Sequence, residues 1–192
     1  MVGAAGGGRE VIALHNRGIK AEAFDSNTAF VDYCRKFLAK LGIDSNIVLA
    51  EPNRVPDEFG TYDDLIMGFG GYMHIAGQDT RILFLKQCRK HIKPNGPILL
   101  SFCATGGFIK SDHSKIRIAR FIKRIKGKKE SMEIGDSLGK DGYFHNFTKE
   151  EICEELEEAG FKIISSFADA NCWTDSSFPY VVLKVKDSND NQ

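Results

Sequence analysis

Apolar residues along this chain fall into two alternating patterns, stretches spaced at three and four residues and short continuous runs. Helical spacing appears first in Val11, Ile12 and Leu14, before Gly18, and then in Phe30, Val31, Cys34, Phe37, Leu38 and Leu41, which stripe Thr28 to Leu41 before Gly42. It returns in Ile82, Leu83, Leu85 and Cys88 within Thr80 to His91, and in Ile152, Cys153, Leu156 and Ala159 before Gly160. Each stripe predicts an amphipathic helix ended by a glycine or a turn. The last opens on Thr148 with Glu151 three residues later, the signature of a capping box. Between the helices, residues 21–24, 46–52, 62–68 and 97–102 read as short buried strands, closed by Pro52 and Gly68 in two cases. Residues 161–167 and 180–185 are two more strands.

Strands alternate with helices through the first hundred residues, which predicts a doubly wound α/β fold whose mostly parallel sheet is covered on both faces. The last two strands are joined by a polar segment containing Trp173, Asp175 and Pro179 and no helix, so they are expected to pair antiparallel. One domain spans 1–186, with a lid-like insertion at about 108–146 and a disordered tail at 187–192. Only Met1 and Val2 precede the first turn, so the first strand is expected to be shortened, each buried unpaired backbone group on its neighbours costing about 1–3 kcal/mol.

That turn is the run Val2-Gly3-Ala4-Ala5-Gly6-Gly7-Gly8-Arg9-Glu10, and Asp25 ends the strand that follows the first helix. Strand, glycine turn, helix, strand, acid is a nucleoside-binding unit. The glycines let the backbone pass close under a ligand, the helix start offers N–H groups, and the acid accepts from ribose hydroxyls. A glycine-rich start also suits a flexible leader. The dinucleotide fingerprint, with glycines at relative positions 0, 2 and 5, fails from Gly3 and from Gly6 alike. The acid-x-Gly-x-Gly-x-Gly turn is met in part: Gly6 and Gly8 match its last two glycines, Ala4 replaces the first, and Val2 stands at the acid.

With the Tyr62-Asp63-Asp64-Leu65-Ile66 strand, the Ile92-Lys93-Pro94-Asn95-Gly96 turn and His145-Asn146-Phe147-Thr148 ahead of Glu158-Ala159-Gly160-Phe161, the chain resembles a class I S-adenosylmethionine-dependent methyltransferase over residues 1–186. The resemblance implies S-adenosylmethionine as cofactor and methyl transfer to an O or N atom of a small molecule. It implies that Ala4, Gly6 and Gly8 lie under the cofactor, that Asp25 takes the ribose, and that Glu51 or Asn53 approaches the adenine. Gly70, in the stretch after the fourth strand, would border the sulfonium. The family's final reversed strand pair agrees with the antiparallel ending. Two alternatives stay open: a degenerate domain that binds the cofactor without turnover, and an NAD(P)-dependent oxidoreductase.

Aligning a nucleophile with the methyl carbon leaves a general base optional. Tyr72, His74 and His145 are the candidates, each with a plainer reading as a packed aromatic, a capping residue and a structural residue. Family members that methylate DNA bases carry Pro-Pro-aromatic or Pro-Cys after the fourth strand, where this chain has Gly70-Gly71-Tyr72, so nucleic-acid bases are disfavoured as acceptors.

Composition narrows the setting. The chain has 192 residues, 42% hydrophobic and 27% charged, with no net charge, so the whole gives no reason to expect nucleic acid or an anionic membrane. The neutral total conceals residues 110–129, where nine lysines or arginines face one acid, Asp112, a local charge of +8. That segment reads as a cationic lid for an anionic acceptor, or as a solvated helix balanced by Glu150, Glu151, Glu154, Glu155, Glu157 and Glu158. The five cysteines form no C-x-x-C pair, which points to reduced thiols in the cytoplasm and to no metal site. No apolar run approaches the roughly 20 residues that span a bilayer, so no membrane partner is expected. Nothing in the sequence indicates an oligomeric state.

Overall fold

The computed structural model describes residues 1–104, 133–139, 142–166 and 180–186. Five parallel strands, β1 (Val2–Gly3), β2 (Ala23–Asp25), β3 (Ile47–Leu49), β4 (Leu65–Met67) and β5 (Ile98–Ser101), alternate with helices α1 (Arg9–His15), α2 (Thr28–Lys40) and α3 (Gln78–Lys90), except that β3 leads to β4 without a helix. Strands β9 (Phe161–Ser166) and β10 (Tyr180–Val185) complete a seven-stranded sheet of order β3-β2-β1-β4-β5-β10-β9. β10 runs antiparallel to β9, the pairing expected of the last two strands, and also to β5. The fourth helix, α4 (Lys149–Glu158), precedes β9 and carries the expected capping box.

Every side chain of β2 is buried, because both sheet faces are covered. Consecutive residues of a strand point to opposite faces, so Ala23 joins one apolar cluster with Val11, Val31, Cys34 and Leu38 under α1 and α2. Its neighbour Phe24 joins the other, with Ile82, Leu85, Ile152 and Leu156 under α3 and α4. α2 starts where Asn27 accepts from the amides of Ala29 and Phe30, satisfying two donors the helix leaves free.

The first strand is short, as expected, but its neighbours keep their partners. Val2 N donates to Glu22 O, Ala5 N to Phe24 O, Ile66 N to Met1 O, and the Met1 amino group to Asp64 O at 2.5 Å.

A second sheet, of order β6-β8-β7, was not foreseen: β6 (Cys103–Ala104), β7 (Asp136–Gly139) and β8 (Gly142–Phe147). Residues 142–147 form a strand antiparallel to β7, so His145, read from the sequence at the head of the last helix, lies in a sheet. The basic stretch 110–129, the polar segment around Trp173, Asp175 and Pro179, and the tail 187–192 lie outside the described residues. Among the described residues no helix is long and apolar enough to cross a membrane.

Candidate functional site

The sheet order reverses beside β1, which has β2 on one side and β4 on the other, and in open α/β sheets a crevice opens there beyond the strand carboxyl ends. A cleft of ≈ 640 Å³ lies at that point. It brings together Ala4, Gly6, Asp25, Glu51, Asn53 and His74. Phe24, Met67 and Phe84 add apolar lining. Gly8, Gly70, Tyr72 and His145 do not line it.

Asp25 ends β2 and is 8% exposed. Its Oδ2 accepts from Gly6 N at 2.9 Å and its Oδ1 from Asn27 N at 2.8 Å, which ties the glycine turn to the second strand. A carboxylate has about four acceptor positions, so two remain for a ligand. Gly8, with φ 86°, sits where an added Cβ would lie 2.7 Å from Cys34 Sγ, so it serves the packing of the turn on α2. Gly70 N donates to Ser101 Oγ at 2.7 Å, away from the cleft.

Ala4 takes the left-handed region, with φ 51°, a conformation costing a non-glycine residue about 1–2 kcal/mol. Its methyl fills the space beside Gly71, where a Cβ would come within 2.6 Å of it. Asn53 and Phe69, at φ 62° and 49°, also line the cleft, so three of the four non-glycine residues with positive φ among the described residues gather there. Strain of this kind clusters at functional sites.

The three candidate bases separate sharply. His74 Nδ1 lies 2.8 Å from Tyr143 O, a carbonyl that only accepts, so Nδ1 carries a proton and Nε2 is the nitrogen left to accept one. Tyr72 is fully buried, and its hydroxyl donates to Glu155 Oε2 at 2.7 Å. Burial, reinforced by the Glu155 charge, pushes its pKa well above the usual tyrosine value, so its placement and its titration both count against a base role.

His145 is fully buried between two carboxylates, Nδ1 to Asp136 Oδ1 at 2.8 Å and Nε2 to Glu151 Oε1 at 3.0 Å. Both nitrogens face acceptors, so both are protonated and the ring is an imidazolium with no lone pair for a substrate. Burial alone would lower its pKa, but the two carboxylates win and raise it. Asp136 and Glu151 move the other way, below their usual values, because the hydrogen bonds from His145 outweigh the burial that would raise them. Glu133, Asp136 and His145 bring donor atoms within 4.8 Å of one another, as metal ligands would. Here Glu133 is spent on Arg81 and on Gln78 N, and His145 offers no lone pair.

This triad makes stability depend on pH from both sides. The His145 contribution is complete below its ordinary value of 6.5 and is lost as pH rises through the raised value. The Asp136 and Glu151 contributions are complete above 3.8 and 4.5 and are lost as pH falls through the lowered values. A urea midpoint measured against pH is therefore expected to fall on both flanks, and His145→Gln is expected to flatten the alkaline one. An alkaline flank identical in wild type and variant would refute the imidazolium.

Sequence reasoning missed Arg9 and Glu10, which with Phe69, in the stretch expected to border the sulfonium, close the β4 end of the cleft. It also missed the buried contact of Arg81 with Glu155, a residue it had counted among six glutamates balancing the basic segment; Glu155 is fully buried. A glutamate inside the stripe Ile152, Leu156, Ala159 was the available signal.

No family model matches the chain, and no curated protein does. Solved structures do match. An S-adenosylmethionine-dependent methyltransferase from Clostridium acetobutylicum ATCC 824 superposes with a TM-score of 0.70 at 11% identity, over 97% of this chain and 83% of that one. One from Methanosarcina mazei gives 0.69 at 15% identity, over 97% and 92%. The 1,6-didemethyltoxoflavin-N1-methyltransferase of Burkholderia thailandensis, with 1,6-didemethyltoxoflavin and S-adenosylhomocysteine bound, gives 0.65 at 15% identity, over 97% and 70%. At these identities the likeness shows the fold, which is that of the class I methyltransferases.

Proposed function

We propose that this chain, built on the class I methyltransferase fold, binds S-adenosylmethionine and transfers its methyl group to an O or N atom of a small molecule. The observation that carries the reading is Asp25, a buried carboxylate at the end of β2, hydrogen-bonded to the Gly6 amide at the bottom of the cleft. The bound cofactor would supply a methyl group already activated by its sulfonium. Asp25 would accept from the ribose hydroxyls, and Glu51 and Asn53 at the end of β3 would meet the adenine edge. Phe24 and Phe84 offer it apolar surface. Ala4 and Gly71, packed methyl against backbone, would leave the sulfur end room beside His74.

His74 Nε2, directed by the Tyr143 carbonyl on Nδ1, would take the proton of a hydroxyl or ammonium acceptor. The small molecule bound in the Burkholderia neighbour supports an acceptor of that size. The free cysteines Cys34, Cys88, Cys103 and Cys153 suit a cytoplasmic setting.

Calorimetric titration tests this directly. Saturable binding of S-adenosylmethionine and S-adenosylhomocysteine is expected, with no heat from NAD. Binding of NAD with neither sulfur nucleoside would replace this reading by the oxidoreductase one.

A further inference from the structure

We infer that the Arg9–Glu10 ion pair recognises the zwitterionic amino-acid end of the cofactor, Glu10 receiving its ammonium and Arg9 its carboxylate. The inference rests on the proposed S-adenosylmethionine site and deepens it. In the turn that this chain resembles, an acid precedes the first glycine; here that position is Val2, 1% exposed within the apolar cluster under α1 and α2. No carboxylate can reach the cleft from there.

Three acids line the cleft, Glu10, Asp25 and Glu51. Asp25, tied to the amides of Gly6 and Asn27, keeps its remaining acceptor positions for the ribose, and Glu51, at the far side beyond β3, faces Arg54. Glu10 stands at the β4 end. Its side chain is 19% exposed, and its Oε1 lies 2.7 Å from where a Cβ on Gly68 would be, so the carboxylate fills the space that glycine leaves open. Arg9 pairs with it and lays its guanidinium over the Phe69 ring, 4.7 Å from the centroid, which holds the charge at the cleft edge.

An ion pair with both members at the edge of one cavity matches a ligand end bearing an ammonium and a carboxylate on the same carbon. The four charges alternate in sign, and no net charge is buried when they meet. Recognition of this kind separates S-adenosylhomocysteine from 5′-methylthioadenosine, which shares the adenosine and sulfur and lacks the amino acid.

The test is calorimetric titration of both nucleosides into wild type, Glu10→Gln and Arg9→Gln. Each substitution is expected to weaken S-adenosylhomocysteine by roughly ten-fold or more and to leave 5′-methylthioadenosine within about two-fold. The second nucleoside also reports that each variant is folded. Unchanged affinity for S-adenosylhomocysteine, or equal loss of both ligands, would overturn the assignment. Wild type binding the two nucleosides equally would overturn it while leaving the cofactor reading intact. Wild type binding neither would remove the cofactor reading and the inference together.

Discussion

Arg81→Met is expected to destabilise the fold by about 3–5 kcal/mol, because it strands a buried carboxylate. Arg81 and Glu155 are both fully buried. Arg81 Nε donates to Glu155 Oε1 at 3.0 Å and Oε2 at 3.1 Å, and its Nη2 to Oε1 at 2.6 Å and to Glu133 Oε2 at 2.9 Å. Its guanidinium also stands 5.1 Å from the Phe147 ring centroid. Domains of this size have about 5–15 kcal/mol in total, so the variant should melt about 6–20 °C lower. The double variant Arg81→Met, Glu155→Gln removes the stranded charge and keeps an acceptor for Tyr72, so it should recover a measurable part of the loss. Equal melting temperatures for the single and double variants would show that the charge is not what matters.

The pair joins α3 to α4, and through Tyr72 it reaches the 3₁₀ turn Gly71–His74 that places His74 at the cleft. None of this follows from helix periodicity. Glu155 occupies the inner face of α4, yet its identity argues for the outside, and only a buried partner from a distant helix reverses that preference. The β6-β8-β7 sheet was hidden for a related reason. Asp136-Ser137-Leu138-Gly139 has no apolar alternation, and its strand is held by Tyr143 and His145, which reach the Asp136 carboxylate at 2.6 and 2.8 Å. Elements built on apolar burial were legible, among them β2, β4, β5, α2 and the β9–β10 pair; elements built on polar side-chain pairing were not.

Strand lengths were legible only in outline. Residues 46–52 read as one strand, but β3 is Ile47–Leu49, since its partner β2 offers three residues for pairing. In the cleft, glycine spacing and Asp25 could be read directly because they answer to backbone geometry. Glu10 could not, because its relevance depends on Gly68, which lies far along the chain and makes room for it.

Asp25→Ala is expected to weaken S-adenosylhomocysteine by about 30–100-fold, corresponding to about 2–3 kcal/mol for lost hydrogen bonds to a charged acceptor. Two effects combine in that number. The ribose loses its acceptor, and Gly6 N loses the Oδ2 that fixes the turn beneath the ligand. Asp25→Asn separates them: its carboxamide keeps one oxygen for a backbone amide and lacks the charge, so its affinity should fall between wild type and alanine. The ribose is common to S-adenosylhomocysteine and 5′-methylthioadenosine, so an Asp25 substitution should weaken both by the same factor. Glu10→Gln should weaken only the first. A loss confined to S-adenosylhomocysteine in Asp25→Ala would place that carboxylate at the amino-acid end and exchange the two assignments, whereas an unchanged affinity would detach the glycine turn from the ligand altogether.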